Sequence, residues 1–173
     1  MNLLLLPGNS PHNKAWIHHV DEVLAPLFNG TLVHDYAHWE NGQNFIDFEH
    51  EIEATCQEVG DLEPYSIFAK SVGSILAIKA MAARSLEPRG CLFVGLPLQL
   101  VIDENIPLGD LLKDVKIPIT IAQNDHDPIG GFQAVKAYFD KLTLPNITLV
   151  ELSGDAHDYD DMAKVTKLAS KLL

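Results

Sequence analysis

Residues 65–77 read Tyr-Ser-Ile-Phe-Ala-Lys-Ser-Val-Gly-Ser-Ile-Leu-Ala, an apolar run that passes without a break into a helical-period segment. The join is Ala69-Lys70-Ser71-Val72-Gly73. A chain that leaves a strand and enters a helix within about one residue turns sharply there and lifts that residue's side chain above the sheet edge. The residues two before and two after such a turn have to be small, so that strand and helix can approach. Ala69 and Gly73 meet that demand. Ser71 at the turn is therefore either a nucleophile raised on an elbow or a cap for the helix that follows.

The same alternation runs outward from this segment in both directions. Short apolar runs at residues 3–6, 31–33, 65–68, 91–94, 119–122 and 147–152 read as strands. Between and after them, residues 14–27, 45–59, 72–83, 130–142 and 158–172 carry apolar positions near helical spacing. Strands that alternate with helices imply crossover connections and a mostly parallel sheet. The strands are apolar at nearly every position, which fits a sheet covered on both faces. The expected fold is α/β, a single three-layer αβα domain over residues 1–173 with about six strands.

In such a sheet, ligands bind beyond the carboxyl ends of the strands. Chemistry is therefore sought just after each strand. The loop after the fifth strand reads Asn124-Asp125-His126-Asp127-Pro128, and the loop after the sixth reads Ser153-Gly154-Asp155-Ala156-His157. Two carboxylates and a histidine thus join Ser71 on one edge. Asp-His-Asp-Pro is also good turn chemistry, which would account for one of the aspartates.

These three loops resemble those of α/β-hydrolases. That family's elbow is G-x-S-x-G, and this chain has A-x-S-x-G at residues 69–73. Its triad acid follows a late strand in a pattern like P-V-L-L-I-H-G-x-x-D-P. Laid on Pro118, the pattern places Asp127 at the acid and Asn124 at a glycine, with Asp125 the rival. The resemblance implies a catalytic triad of Ser71, Asp127 and His157, in the Ser-Asp-His order of that fold. It also implies oxyanion donors at the backbone N–H of Val72 and of Asn9, the latter from Leu6-Pro7-Gly8-Asn9, where Pro7 replaces the usual His. The chain looks nearest to small capless members, the group of retinoblastoma-binding-protein-type hydrolases. The implied activity is hydrolysis of a small carboxylic ester, thioester or amide through a Ser71 acyl-enzyme. A non-catalytic binding module on the same fold is the alternative, and a flavodoxin-like binder is a third reading.

Residues 96–116, where larger members insert a lid, have room for a loop and a short helix. No lid is expected, and Leu96 and Leu98 are candidates for one wall of the substrate pocket. His38 and Trp39, after the second strand, are candidates for another. His34 and His38 are spaced like a helical metal pair, but no H-E-x-x-H accompanies them, and no metal is assigned. Lys70 is expected to be solvated rather than to form a Ser–Lys dyad.

Charge and composition narrow the partners. Twelve basic and 24 acidic side chains give a formal net charge of −12. That excess repels nucleic acid and anionic membranes, which leaves a small-molecule substrate as the expected partner. No Walker A or G-x-G-x-x-G follows any strand, so no cofactor is expected. Cys56 and Cys91 form no zinc spacing, and two such thiols fit a reducing cytoplasm. The apolar stretch at residues 3–6 is too short for a signal peptide and reads as the first strand.

Overall fold

The computed structural model describes residues 1–60 and 62–173. Six strands, β1 (Asn2–Leu6), β2 (Thr31–Val33), β3 (Tyr65–Lys70), β4 (Cys91–Val94), β5 (Ile119–Asn124) and β6 (Ile147–Leu152), form one sheet in the order β2-β1-β3-β4-β5-β6. Every neighbouring pair is parallel. The helices are α1 (His12–Leu24), α2 (His38–Asn41), α3 (Phe48–Val59), α4 (Val72–Ala82), α5 (Leu98–Asp103), α6 (Leu108–Leu112), α7 (Phe132–Phe139) and α8 (Met162–Ala169).

Side chains of a strand alternate between faces, and here each face has its own core. Leu4, Leu6, Ile67, Ala69, Phe93 and Ile121 face a layer that includes α4, α6 and α7. Leu3, Leu5, Phe68, Leu92, Val94 and Ala122 face α1 and α8. Helix α4 lies at the centre, with nine of its residues buried. Double coverage buries the central strands along almost their whole length. The edge strands differ from that expectation: β2 is half-exposed along its length, and β6 alternates between half-buried and exposed.

Helix ends follow capping rather than apolar spacing. Helix α1 stops at Leu24 because Pro26 has no N–H to continue the ladder, and residues 25–27 tighten into a 3-10 turn. Helix α3 starts at Phe48, not at residue 45, because the Asp47 carboxylate accepts from the N–H groups of Glu49 and His50. Asp161 caps α8 in the same way through Lys164 N–H, so that helix begins after residue 158. Residues 96–116 hold two short helices rather than one. Leu98, Val101, Leu108 and Leu112 bury them in the core, with no lid.

The sheet order sets the place of the site. Strand β1 is flanked by β2 on one side and β3 on the other, so the winding reverses between β1 and β3. A crevice opens at the carboxyl ends of strands at such a switch point. The loops carrying Asn9 and Ser71 leave the sheet there.

Candidate active site

Strand β3 runs to Lys70 and α4 starts at Val72, which leaves Ser71 to make the whole turn. Its backbone sits at φ 52° and ψ −122°, a conformation that costs a non-glycine residue about 1–3 kcal/mol. The turn is held by Ser71 N–H donating to Val94 O (3.0 Å) and by Ser74 N–H donating to Ser71 O (2.9 Å). Ser71 makes no side-chain capping bond to the helix. A Cβ on Gly73 would lie 2.5 Å from the carbonyl oxygens of Leu6 and Pro7, so only glycine lets α4 approach β1 this closely. Ala69 is wholly buried between strand and helix.

Asp127 and His157 meet beyond β5 and β6. His157 Nδ1 lies 2.8 Å from Asp127 Oδ2. The same oxygen accepts from the Tyr159 hydroxyl at 2.7 Å, and Asp127 Oδ1 accepts from Ile129 N–H at 2.8 Å. Buried and so provided with donors, the carboxylate fixes the proton of a neutral imidazole on Nδ1 and leaves Nε2 a lone pair. Nε2 has no hydrogen-bond partner among the described residues. Gly95, at φ 64°, makes room for this pair. A Cβ there would lie 2.5 Å from Tyr159 Cε2 and 3.0 Å from His157 Cε1.

Asp125 is used differently. Its Oδ1 accepts from Gly154 N–H at 2.8 Å and from its neighbour His126 N–H at 3.0 Å. The Gly154 bond is the main cause that holds its carboxyl below the usual range. Asp125 therefore ties the β5 loop to the β6 loop, and Asn124 Nδ2 adds a second tie to Ala156 O at 2.8 Å. Tyr159 escaped the sequence reading, since nothing in Asp158-Tyr159-Asp160 marks it. It sits at a positive φ of 58° so that its hydroxyl reaches both Asp127 and Asn124 N–H. Burial, then the Asp127 carboxylate, pushes its phenol far above the usual range.

The Asn9 loop is gripped from outside the sheet. Asn9 O accepts from His38 Nε2 and from Trp39 Nε1, both at 2.8 Å. Asn9 Oδ1 accepts from Ile46 N–H at 2.9 Å, and Tyr36 donates to Pro7 O at 2.8 Å. The Asn9 N–H has no acceptor among the described residues. Val72 is the first residue of its helix, where an N–H has no partner within the helix.

Asn9, Lys70, Ser71 and His157 line one cleft of about 610 Å³. The four residues expected to wall a pocket are placed elsewhere. His38 and Trp39 hold the Asn9 loop, and Leu96 and Leu98 are buried in the core against α4 and its neighbours. His34 and His38 turn to different partners: His34 lies 2.8 Å from Glu51 Oε2 and 2.7 Å from Glu58 Oε2, whereas His38 reaches Asn9. Lys70 corrects another expectation. It is 5% exposed rather than solvated, with Nζ 4.3 Å from the centroid of the Trp16 ring.

A sequence model described as an alpha/beta hydrolase domain matches residues 40–172. The chain belongs to the α/β-hydrolase family. The match takes in the Ser71, Asp127 and His157 loops, while the Asn9 loop precedes it. No curated protein matches the chain significantly in sequence. Solved structures share the α/β-hydrolase fold at low identity. Est1E from Butyrivibrio proteoclasticus, solved with bound ferulic acid, superposes with a TM-score of 0.76 at 16% identity, over 98% of this chain and 86% of that one. An alpha-beta serine hydrolase homologue from Coxiella burnetii gives 0.77 at 17% identity, over 100% and 85%. The esterase Pf2001 from Pyrococcus furiosus gives 0.77 at 16%, over 99% and 81%.

Proposed function

We propose that this α/β-hydrolase is a serine hydrolase acting on small carboxylic esters, thioesters or amides. The observation that carries the reading is the strained Ser71 turn opening on the same cleft as a histidine whose Nδ1 is held by a buried aspartate. His157 Nε2 takes the proton from Ser71 Oγ as the hydroxyl attacks the acyl carbon, and returns it to the leaving group. Asp127 keeps the proton on Nδ1 and stabilises the imidazolium. Water then enters by the same route in reverse and frees Ser71. The N–H groups of Val72 and Asn9 receive the charge that develops on the carbonyl oxygen, each worth about 3–4 kcal/mol in such a site.

The names of the structural neighbours, the esterase Pf2001 and Est1E with bound ferulic acid among them, support an acyl-ester substrate class. Small size and the packing of residues 96–116 into the core favour a place near the capless retinoblastoma-binding-protein-type hydrolases. The net charge of −12 favours a neutral or small-molecule partner over nucleic acid, and the thiol usage favours the cytoplasm. Among the described residues no helix is long and apolar enough to cross a membrane.

A fluorophosphonate probe tests the reading directly. Ser71 is expected to be labelled, and Ser71→Ala to lose all labelling. His157→Ala is expected to slow labelling by about 10³-fold or more. Folded wild-type protein that stays unlabelled would favour a binding module on the hydrolase scaffold instead.

A further inference from the structure

Lys70 precedes the serine of the elbow and lies on the floor of the Ser71 cleft, on the α1 side of the sheet. Its side chain is nine-tenths buried, yet among the described residues no carboxylate lies within ion-pairing distance. Its close neighbour is the Trp16 ring. A cation over an aromatic face recovers about 0.5–2 kcal/mol, whereas a buried ammonium without a counter-ion costs several. Burial lowers its pKa to about 8. Asp160, Asp158 and Asp127 oppose that shift from a distance. Asp127 is committed to His157 and Tyr159, and Asp158 and Asp160 are exposed on the rim. His12 and His157 complete the titratable groups of this cleft.

The cleft thus presents a desolvated positive charge, beside the serine, that the protein itself leaves without a partner. We propose that the Lys70 ammonium receives a carboxylate on the substrate, so that the enzyme prefers esters or thioesters of acids that carry a second carboxylate near the scissile carbonyl. This rests on the Ser71 hydrolase reading. A neutral acyl chain would leave the ammonium without a counter-ion, and a cationic one would be repelled by it. A carboxylate gains a charge-assisted hydrogen bond where water is scarce. The rim aspartates oppose it weakly, since exposed charges are screened by solvent. One ammonium suits one negative charge. Lys70 and Ser71 line the same cleft, so the second carboxylate belongs on a short acyl chain. Lys70 itself makes and breaks no bond. Water and the ester give the diacid and the alcohol, as at any serine hydrolase.

The test compares 4-nitrophenyl hydrogen glutarate with 4-nitrophenyl hexanoate by kcat/KM on the same enzyme. His157 serves both esters, so its titration cancels in the ratio. Wild-type protein is expected to prefer the anionic ester by about tenfold or more at pH 7. The preference is expected to fall as the pH rises through about 8, where Lys70 loses its proton. Lys70→Met is expected to bring the ratio to near one, and Lys70→Arg to keep the preference at pH 9. A wild-type enzyme that prefers the neutral ester, or a preference unchanged in Lys70→Met, would overturn the proposal. If neither ester is cleaved, the hydrolase reading fails, and glutarate binding followed by tryptophan fluorescence decides the Lys70 site alone. A saturable change in the wild type that Lys70→Met lacks supports it. No change, or an equal change in both, overturns it.

Discussion

His34 and Lys70 are both buried basic side chains, and they are treated in opposite ways. His34, at the end of β2, is 1% exposed and has a carboxylate oxygen within 2.8 Å of each ring nitrogen, from Glu51 and from Glu58. Both nitrogens donate, one to each carboxylate, when the ring carries its positive charge. Burial works against that charge, but the two acids outweigh it and the pKa is raised. Lys70, at the end of β3, has burial and no close acid, and its pKa falls. The partnered cation serves structure. Glu51 also accepts from Ala37 N–H at 2.9 Å, which pins the segment whose Tyr36, His38 and Trp39 grip the Asn9 loop. The unpartnered cation faces the cleft.

The largest expected effect breaks the first arrangement. Glu51→Ala leaves His34 short of one carboxylate in a dry site and is expected to cost about 3–5 kcal/mol in urea unfolding. Lys70→Met sharpens the contrast by going the other way. Removing a buried charge that has no partner is expected to raise stability at pH 7 by about 1–4 kcal/mol.

The pH dependence separates the two cations further. The stability His34 contributes is fully present below its unfolded value of 6.5 and is lost as the pH rises through its raised folded value. Lys70 has the reverse sign. Between about 8 and 10.5 the unfolded chain holds a proton that the folded one has released, so stability rises across that window, by about 3 kcal/mol at most. Unfolding free energy measured from pH 6 to 10.5 is expected to fall and then recover, and Lys70→Met is expected to remove the recovery. The smallest effect concerns Asp127, which acts on Lys70 from a distance while Tyr159 helps to hold it. Tyr159→Phe removes one donor and is expected to cost about 1 kcal/mol of stability, with kcat/KM reduced by about tenfold.

What the sequence disclosed depends on the kind of force involved. The central strands are legible because burial on both faces writes itself as continuous apolar residues, and the bounds of β4 and β6 come out of that pattern unchanged. Helix starts at Phe48 and Met162 are not legible from periodicity, because Asp47 and Asp161 set them through side-chain bonds to backbone. The loops of Ser71, Asp127 and His157 can be found because each follows a strand. The burial of Lys70 cannot, since it depends on β3 continuing past Phe68 and on Trp16 from a distant helix. His38 and Trp39 show the same limit. Their polar atoms turn inward to a carbonyl far upstream, and no local pattern marks that choice.

The connection between β4 and β5 stays in the core, and among the described residues it contributes nothing to the wall of the Ser71 cleft. An acyl group carried on Ser71 would therefore be open to solvent on that side, with the His157 side chain 23% exposed beside it. Water at about 55 M outcompetes any other acceptor that the site does not bind. On the proposed mechanism, such an intermediate would be short-lived and would be released to water rather than passed on to an alcohol or amine.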